Sequence, residues 1–394
     1  MKEAAAVHEG GFTLVELMVG IVVSLICTLA IMSAFAIFEG QKRTTTNGDD
    51  AQQNGSFALY TLERQIRTAG SGLVQGNRYS LWGCPIAAQS NGSVTLPSPT
   101  APPAPFASWP LTTRAMPVVI SSGGTDASGY ALPDIIGIVS GSAAARVFSA
   151  AVSSTPSNSS VILANSFGIN KGDYLLGTLT TGACALALSS SAPDALNTIN
   201  LNTTYSLATG LVTATNVFDL GPYPVVSLYG VDLRATTPAT STYQTLVTYD
   251  LLQRPVNGVA AAVTPLADGI VMVKALYGIH NGTNPKCIDL NCIDAWVAPT
   301  GAWDISVISP TVLTPAALLA AYTAMGAIKA VRVVVVAQSR ISQRAQDYAG
   351  KSTLTLFSDL PLAQQVKIKT DTTYRYKVYD TTTPIRNSLI VKYF

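Results

Sequence analysis

The longest apolar stretch of the chain covers residues 12–38, and its single charged side chain is Glu16. As an α-helix this stretch spans about 40 Å, against a membrane hydrocarbon core about 30 Å thick. A secretory signal has a shorter apolar core followed by a small-residue cleavage site, and residues 39–43 contain no such site. The pattern predicts a helix that crosses a membrane and projects beyond it, and a plain membrane anchor is the simplest interpretation.

The hydrophobic pattern changes after this stretch. Residues 39–54 are polar throughout, and the next segment, SFALYTLERQIRTAG, has apolar residues at helical spacing. This apolar stripe consists of Leu59, Leu62, Ile66 and Ala69. Glu63 and Arg67 lie four residues apart in the favourable order for a helical ion pair, and Gly70 is a natural stop.

These two segments predict one long helix from Phe12 to Ala69. Gly48 and Gly55 are its weak points, because glycine costs about 1 kcal/mol in a helix interior. Two helices joined by a kink are the alternative.

Beyond the helix, short β-like runs alternate with turn clusters, and residues 90–110 are predicted to be a loop. Residues 314–327 are predicted to form a helix. The predicted strands are Ile135–Val139, Ser160–Ala164, Tyr174–Leu179, Ala185–Ser189, Val225–Asp232, Gln244–Leu252, Ile270–Tyr277 and Ala330–Gln338.

Near the C-terminus, Tyr374, Tyr376 and Val378 alternate onto one face, and a turn is expected at Pro384. The predicted fold class is therefore α+β. A long N-terminal helix packs its amphipathic half, through the apolar stripe, on a large antiparallel β-sheet domain.

The chain carries few charged residues. Charged residues make up 12% of the chain and the formal net charge is +2. No basic cluster is interleaved with aromatic residues, so no nucleic-acid partner is expected.

Of the five cysteines, Cys27 lies inside the apolar stretch and is expected to behave as a small hydrophobic residue. The other four, Cys84, Cys184, Cys287 and Cys292, allow three disulfide pairings in an oxidising compartment. Cys287 and Cys292 are close in sequence, which leaves Cys84 with Cys184, and this pairing is favoured.

Catalytic and metal-binding patterns are weak. The chain has two histidines, His8 and His280, and no GxGxxG, P-loop or GxSxG motif, so neither an enzyme nor a cofactor is predicted. Asp289, Asn291 and Asp294 offer oxygen ligands for calcium, but the pattern falls short of an EF-hand. A disulfide-closed surface loop, with side chains that accept backbone hydrogen bonds, is the favoured interpretation.

The stretch Gly11-Phe12-Thr13-Leu14-Val15-Glu16 resembles the class III signal of type IV prepilins and pseudopilins. The resemblance implies that a membrane-embedded prepilin peptidase cuts between Gly11 and Phe12. It also implies that Phe12, as the new N-terminus, is methylated, and that Glu16 is the glutamate that this family carries in its apolar helix.

Further blocks resemble the minor pilin PilW family and follow its usual order along most of the chain. They are LERQIRTAG followed by Cys84, GINKGDYLLGTLTTGAC, YDLLQRPVNG, LADGIVMVKALYGI, AVRVVVVAQSR and YDTTTPIRN. The resemblance implies a leader at 1–11, a transmembrane assembly helix at 12–38 and its amphipathic continuation at 39–70. A periplasmic β-rich pilin domain at 71–394 follows, with a Pro/Ser-rich loop near 90–130.

The function implied by the resemblance is structural: a minor pilin that primes type IV pilus assembly and sits at or near the filament tip. The implied partners are other minor pilins, the major pilin, a tip adhesin, the inner-membrane assembly platform and the prepilin peptidase. The chain is expected in the inner membrane with its bulk in the periplasm, and then in the pilus on the cell surface. The alternatives are a J-type minor pseudopilin of type II secretion and a membrane-anchored periplasmic binding module that does not polymerise.

Glu16 has a physical role in this interpretation. A carboxylate inside hydrocarbon costs about 2.5–3.5 kcal/mol on insertion scales. After cleavage, the α-amine of Phe12 on a neighbouring subunit can pair with Glu16, and a register error leaves both charges unpaired. Glu16 is therefore predicted to set the register of assembly. The alternative is a passive residue that lies at the cytoplasmic interface or is protonated.

Overall fold

The computed structural model describes residues 13–73, 81–142, 149–207, 210–233, 244–254, 262–285, 287, 289, 291–310, 314–342 and 348–390. The chain divides into two compact units, Met1–Asp50 and Ala51–Phe394. Helix α1 covers Leu14–Thr68 and includes both Gly48 and Gly55, in agreement with the prediction of one long helix.

The first unit contains an apolar helical span, Leu14–Gly40, with a mean hydropathy of 2.6. It is long and apolar enough to cross a membrane, and none of its most apolar window is buried within the chain. Its large apolar side chains are exposed on every side of the helix. A helix that is apolar all round needs a lipid or protein environment, which agrees with the predicted membrane-crossing segment.

The second unit is rich in strands. Its later helices are α2 (Ile305–Ile308), α3 (Pro315–Ala327) and α4 (Arg386–Ile390). The strands are β1 (Ile86–Ser90), β2 (Ser93–Leu96), β3 (Val118–Ser121), β4 (Ile135–Ser140), β5 (Ser149–Ala151), β6 (Ser160–Ile162), β7 (Tyr174–Leu179), β8 (Cys184–Leu188), β9 (Thr198–Asn200), β10 (Ala214–Gly221), β11 (Val225–Asp232), β12 (Thr245–Asp250), β13 (Thr264–Asp268), β14 (Ile270–Ile279), β15 (Ala295–Val297), β16 (Ile328–Gln338), β17 (Thr353–Leu356), β18 (Val366–Lys369) and β19 (Tyr376–Pro384).

Within the described residues these strands form three larger sheets, with orders β2-β1-β8-β7-β10-β5, β13-β12-β11-β4-β3 and β15-β14-β16-β19. Two further sheets have two strands each and pair β17 with β18 and β6 with β9. Neighbouring described strands are antiparallel, apart from β1 and β8, which run parallel with Ile86 opposite Cys184. The predicted α+β class is confirmed, and the antiparallel domain consists of several sheets rather than one.

The predicted strands correspond to observed ones with shifts of a few residues at their ends. Strands β7 and β11 have the predicted bounds, and α3 begins one residue after the predicted start at Thr314. The prediction that residues 90–110 contain no strand is wrong, because β2 lies there and pairs with β1. The predicted turn at Pro384 is observed, since β19 ends at this residue and α4 follows.

The amphipathic half of α1 packs on the third sheet. Leu62 and Ile66 are fully buried, and Leu59 is partly buried against the main core, as the apolar stripe predicts. At the start of this half, Lys377 Nζ donates to Gln52 Oε1 at 2.6 Å, and Tyr379 Oη donates to Gln52 O at 3.1 Å. These contacts join the helix to β19.

Buried polar side chains connect the second and third sheets. Lys274 on β14 forms an ion pair with Asp134, which also accepts the backbone N–H of Ala275 at 3.0 Å. Burial raises the pKa of Asp134, and the neighbouring Lys274 ammonium opposes that rise. Tyr277 is fully buried and its hydroxyl accepts the backbone N–H of Ile120 at 2.6 Å. The two sheets are thereby fixed to each other by specific pairs as well as by apolar packing.

Candidate functional site

Thr13 acts as the N-cap of helix α1, and its side chain contacts Glu16. The hydroxyl of Thr13 accepts the backbone N–H of Glu16 at 3.3 Å and donates to Glu16 Oε2 at 3.5 Å. Threonine at the N-cap and glutamate three residues later is the sequence signature of a capping box, and the bond from the Glu16 N–H to the Thr13 hydroxyl is the half of it that is observed. The carboxylate also lies in the first helical turn, where the helix dipole favours negative charge. This role of Thr13 was not predicted, although its T-x-x-E spacing is the signal for it.

The Glu16 carboxylate is exposed and surrounded by apolar side chains. Within the described part of the chain, its hydrogen-bond partner is the Thr13 hydroxyl. The contact between the two side chains is long, so most of the acceptor capacity of the carboxylate stays available. Such a group, placed on an apolar helix, can bind a cation supplied by another molecule.

Three hydroxyl side chains lie deeper in the apolar span. Ser24 Oγ donates to Ile21 O at 2.9 Å and Ser33 Oγ donates to Ala30 O at 2.8 Å. Thr28 donates in the same way to the carbonyl of Ser24. Because each hydroxyl bonds back to its own helix, the span brings no unsatisfied hydroxyl donor from these residues into an apolar environment.

The predicted processing residues Gly11 and Phe12, and the leader at 1–11, lie outside the described residues. Of the three residues predicted for processing and assembly, Gly11, Phe12 and Glu16, the structure describes Glu16.

The structure bonds Cys84 to Cys184, which is the pairing that the sequence favours. Their Cα atoms are 5.7 Å apart, their separation along the chain is 100 residues, and both side chains are buried. In the chain-entropy model a loop of this length contributes about 4–5 kcal/mol. The bridge lies beside the parallel pairing of β1 and β8 and so joins the segment after α1 to the middle of the chain.

The second disulfide joins Cys287 to Cys292, with Cα atoms 5.5 Å apart. In this loop Asp289 Oδ1 accepts the backbone N–H of Asn291 at 3.0 Å. Asp294 Oδ2 accepts the backbone N–H of Asn281 at 2.6 Å. In both contacts a carboxylate oxygen accepts a backbone N–H group, as the interpretation of a disulfide-closed loop predicts.

His280 follows β14 and lies against Asp294, which precedes β15. The two side chains approach at 3.2 Å between His280 Nδ1 and Asp294 Oδ2, and the Asp294 side chain is fully buried. Burial pushes the pKa of Asp294 upward. The N–H groups of Asn281 and Gly282, together with the charge of His280, outweigh it, so the pKa lies below its ordinary value. This proximity was not predicted from the sequence.

A small cavity of about 10 Å³ lies beside Trp109, Thr113 and Arg114. This volume is room for about one water molecule. Trp109 Nε1 and Thr113 Oγ1 are buried and have no hydrogen-bond partner within the described residues. The cavity therefore suits an internal water and is too small for a substrate.

Two family models match the chain. The model described as type IV pilus-assembly protein W matches residues 229–387, and the prokaryotic N-terminal methylation motif matches residues 8–32. Both describe structural pilus components rather than enzymes. No curated protein and no solved structure matches the chain. The two matches fall where the sequence carries the prepilin-like signal and the later PilW-like blocks, and they confirm the predicted resemblance of this chain to the PilW family of type IV pilins.

Proposed function

We propose that this chain is a minor pilin that primes type IV pilus assembly and lies at or near the filament tip. In this proposal the prepilin peptidase removes residues 1–11, Phe12 is methylated, and the helix at 12–38 inserts into the filament. The observation that carries the proposal is an apolar helix that its own chain leaves uncovered, with a carboxylate in its first turn.

The uncovered apolar surface supports polymerisation. The large apolar side chains from Leu14 to Phe38 are between 53% and 76% exposed. Removing apolar surface from water is favourable by about 25 cal/mol for each square ångström. These side chains are therefore more stable in an apolar environment than in water. Lipid covers this surface before assembly, and the helices of neighbouring subunits cover it in a filament. The same helix can therefore serve first as an anchor and then as a polymerisation element.

Glu16 supplies specificity that apolar adhesion lacks. Apolar helix faces pack in many registers with similar energy, whereas a buried carboxylate requires a cation at one position. Cleavage of an adjacent subunit frees the α-amine of its Phe12, and this cation is small enough and close enough to the helix start to pair with the Glu16 carboxylate. Thr13 leaves most of the carboxylate lone pairs free for this pairing.

The test compares Glu16→Ala with Glu16→Gln, because glutamine keeps a hydrogen-bonding group for the helix start but carries no charge. Both variants are expected to insert and to be cleaved normally, and both are expected to fall at least about tenfold in sheared pili, a loss of about 1.4 kcal/mol. If Glu16→Gln assembles like wild type, the carboxylate acts as a helix cap and the pairing role is wrong. Thr13→Val is the matched control, since it removes the capping hydroxyl and leaves the carboxylate.

Processing is tested separately. Replacing Gly11 by a bulky residue such as leucine is expected to leave the precursor uncut, and intact-mass measurement then shows residues 1–11 still attached. A mature N-terminus at Met1 in the wild type would contradict the proposal, because no α-amine would then form beside Glu16.

The place of the protein is tested in cells. Deletion is expected to remove surface pili, and the processed protein is expected in sheared pili in low copy beside the major pilin. Loss of exoprotein secretion with normal piliation would instead indicate a J-type pseudopilin. Absence from filaments with normal piliation would indicate an anchored periplasmic module. Pull-down of the processed protein identifies its partners among other minor pilins, a tip adhesin and the assembly platform.

A further inference from the structure

Four side chains of the kind that bind transition metals meet in one loop of the second unit. Cys287 Sγ lies 3.9 Å from His280 Nδ1, and Asp294 Oδ2 lies 3.2 Å from the same nitrogen. The ligand atoms of these three residues are all within 4.8 Å of one another. Cys292 is bonded to Cys287 and brings a second sulfur atom to the same place.

The distances can be compared with those of a zinc tetrahedron. With Zn–N and Zn–O near 2.0–2.1 Å and Zn–S near 2.3 Å, adjacent N and O ligands are about 3.3 Å apart, and N and S ligands about 3.6 Å. The two observed separations from His280 differ from these values by a few tenths of an ångström. The two sulfurs do not fit, because the disulfide holds them in covalent contact and a tetrahedron requires them about 3.8 Å apart.

We propose that His280, Cys287, Cys292 and Asp294 form a zinc site when the Cys287–Cys292 disulfide is reduced. The reductant is a dithiol, which supplies two electrons and two protons and becomes a disulfide as the Sγ–Sγ bond breaks. Zn²⁺ then displaces the two thiol protons, and these pass to water. The loop thus has two alternative closures, a covalent one under oxidising conditions and a metal-bound one under reducing conditions.

The surrounding structure holds the ligands in place. The pairing of Ile279 with Ala295 in the β14–β15 ladder brings the residue after one strand next to the residue before the other. Backbone N–H groups of Asn281 and Gly282 orient the Asp294 carboxylate. Such outer hydrogen bonds are what fixes a metal-ligating carboxylate.

The carboxylate of Asp294 also has unused capacity. Its side chain is fully buried, and Oδ1 has no hydrogen-bond partner within the described part of the chain. A buried oxygen without a partner is unfavourable, and a metal ion relieves it. Two thiolates and an imidazole are soft or intermediate ligands that favour Zn²⁺ over Ca²⁺, so this site differs in chemistry from an oxygen-ligand calcium loop.

The test uses the full-length protein in detergent micelles, with Co²⁺ as a spectroscopic probe and Zn²⁺ as competitor. A water-soluble phosphine serves as reductant and becomes the phosphine oxide with oxygen from water. Peptide mapping after alkylation is expected to show Cys287 and Cys292 labelled before Cys84 and Cys184, because Cys292 is only partly buried whereas Cys84 and Cys184 are both buried. The reduced protein is expected to bind one Co²⁺ with the intense visible bands of a tetrahedral complex and a sulfur-to-cobalt charge-transfer band, and Zn²⁺ is expected to displace it.

Variants assign the ligands. Replacing both Cys287 and Cys292 by serine is expected to abolish the charge-transfer band. His280→Ala and Asp294→Asn are each expected to weaken binding more than about 10-fold, the lower bound for a supporting residue. Asp289→Asn is the matched control, because this neighbouring carboxylate lies outside the ligand set, and its binding is expected to equal that of wild type.

Three results would overturn the proposal. One is Co²⁺ binding by the oxidised protein that is as tight as binding by the reduced protein. Another is retention of the charge-transfer band in the double serine variant, which would assign the thiolate to Cys27 or to the Cys84–Cys184 pair. Loss of binding in Asp289→Asn to the same extent as in Asp294→Asn would show that general loop charge, and not the four-ligand set, attracts the metal.

Discussion

The two halves of helix α1 present apolar residues in different ways. In the half from Leu14 to Gly40, apolar residues occur on all sides and remain exposed within the chain. In the half from Ala51 to Thr68, they form one stripe, and Leu62 and Ile66 in this stripe are fully buried. The difference shows that the first half finds no apolar environment within its own chain, whereas the second half is part of the core of its own domain.

The largest expected effect is on the free energy of unfolding, which a substitution in the second half of α1 is expected to lower and one in the first half is not. Leu62→Ala is expected to destabilise the second unit by about 2–5 kcal/mol, because it removes a buried side chain and leaves a cavity. Leu25→Ala is the matched control, since Leu25 is 57% exposed, and its effect is expected to stay below about 0.5 kcal/mol. Urea unfolding followed by tryptophan fluorescence measures both, because all tryptophans lie in residues 51–394. Equal losses in the two variants would contradict the division of roles.

The second prediction concerns membrane insertion, for which the larger effect is expected in the first half of α1. Ile26→Asp is expected to cost about 2.5–3.5 kcal/mol of insertion free energy, because it places a charge in the apolar span. Tyr60→Asp is the control, since Tyr60 is 62% exposed on the polar side of the second half. Carbonate extraction of membranes measures the difference. If Ile26→Asp remains as firmly integrated as wild type, the span Leu14–Gly40 does not act as the anchor.

Glycines in the two halves give the third prediction. A Cβ added at Gly55 would overlap the ring of Tyr379 and lie 3.0 Å from Ala337 Cβ, whereas at Gly48 nothing lies within 4 Å. Gly55→Ala is therefore expected to destabilise the second unit by about 1–2 kcal/mol, since overpacking exceeds the gain in helix propensity. Gly48→Ala is expected to stabilise its helix by up to about 1 kcal/mol.

The measurements for these two glycines differ. Urea unfolding reports Gly55→Ala, and amide hydrogen exchange of the surrounding helix reports Gly48→Ala. Slower exchange around residue 48 together with a lower unfolding free energy for Gly55→Ala is the expected result. Stabilisation by both substitutions would show that Gly55 is a tolerated weak point, as the sequence suggested, and not a packing requirement.

This glycine shows where sequence reasoning reaches its limit. The stripe through Leu62 and Ile66 was predictable because helical periodicity is local. The close approach of Gly55 to Tyr379 was not, because the two residues are far apart in sequence and nothing in either segment marks the other. The pairing of Asp134 with Lys274 was unpredictable for the same reason.

The strands follow the same rule. Strand β7, Tyr174–Leu179, is a short apolar run and its bounds were predicted. Strand β10, Ala214–Gly221, was missed, because register shifts near both ends interrupt the alternation of buried and exposed positions. Strand β2 was missed because it lies in a Pro/Ser-rich region whose composition indicates a loop.

The candidate site shows a similar division. The prepilin-like signal at Glu16 is a local pattern, and its capping partner Thr13 could also have been found from the T-x-x-E spacing. The approach of His280 to Asp294 depends on the pairing of β14 with β15 and could not be read from the sequence.

The smallest expected effect lies on the solvent side of the second half, where Arg67 forms an ion pair with Glu63. The two side chains are 46% and 27% exposed, so water and salt screen their attraction. Glu63→Gln is expected to lower the unfolding free energy by about 0.3–0.5 kcal/mol at low salt, and this difference is expected to vanish near 1 M salt. Leu62→Ala, one residue away, is expected to keep its full effect at both salt concentrations, because apolar burial is not screened. If Glu63→Gln lowers the unfolding free energy equally at low and high salt, Glu63 contributes through packing rather than through its charge. The buried stripe and the exposed face of this half would then differ less in their contribution to stability than their side-chain burial indicates.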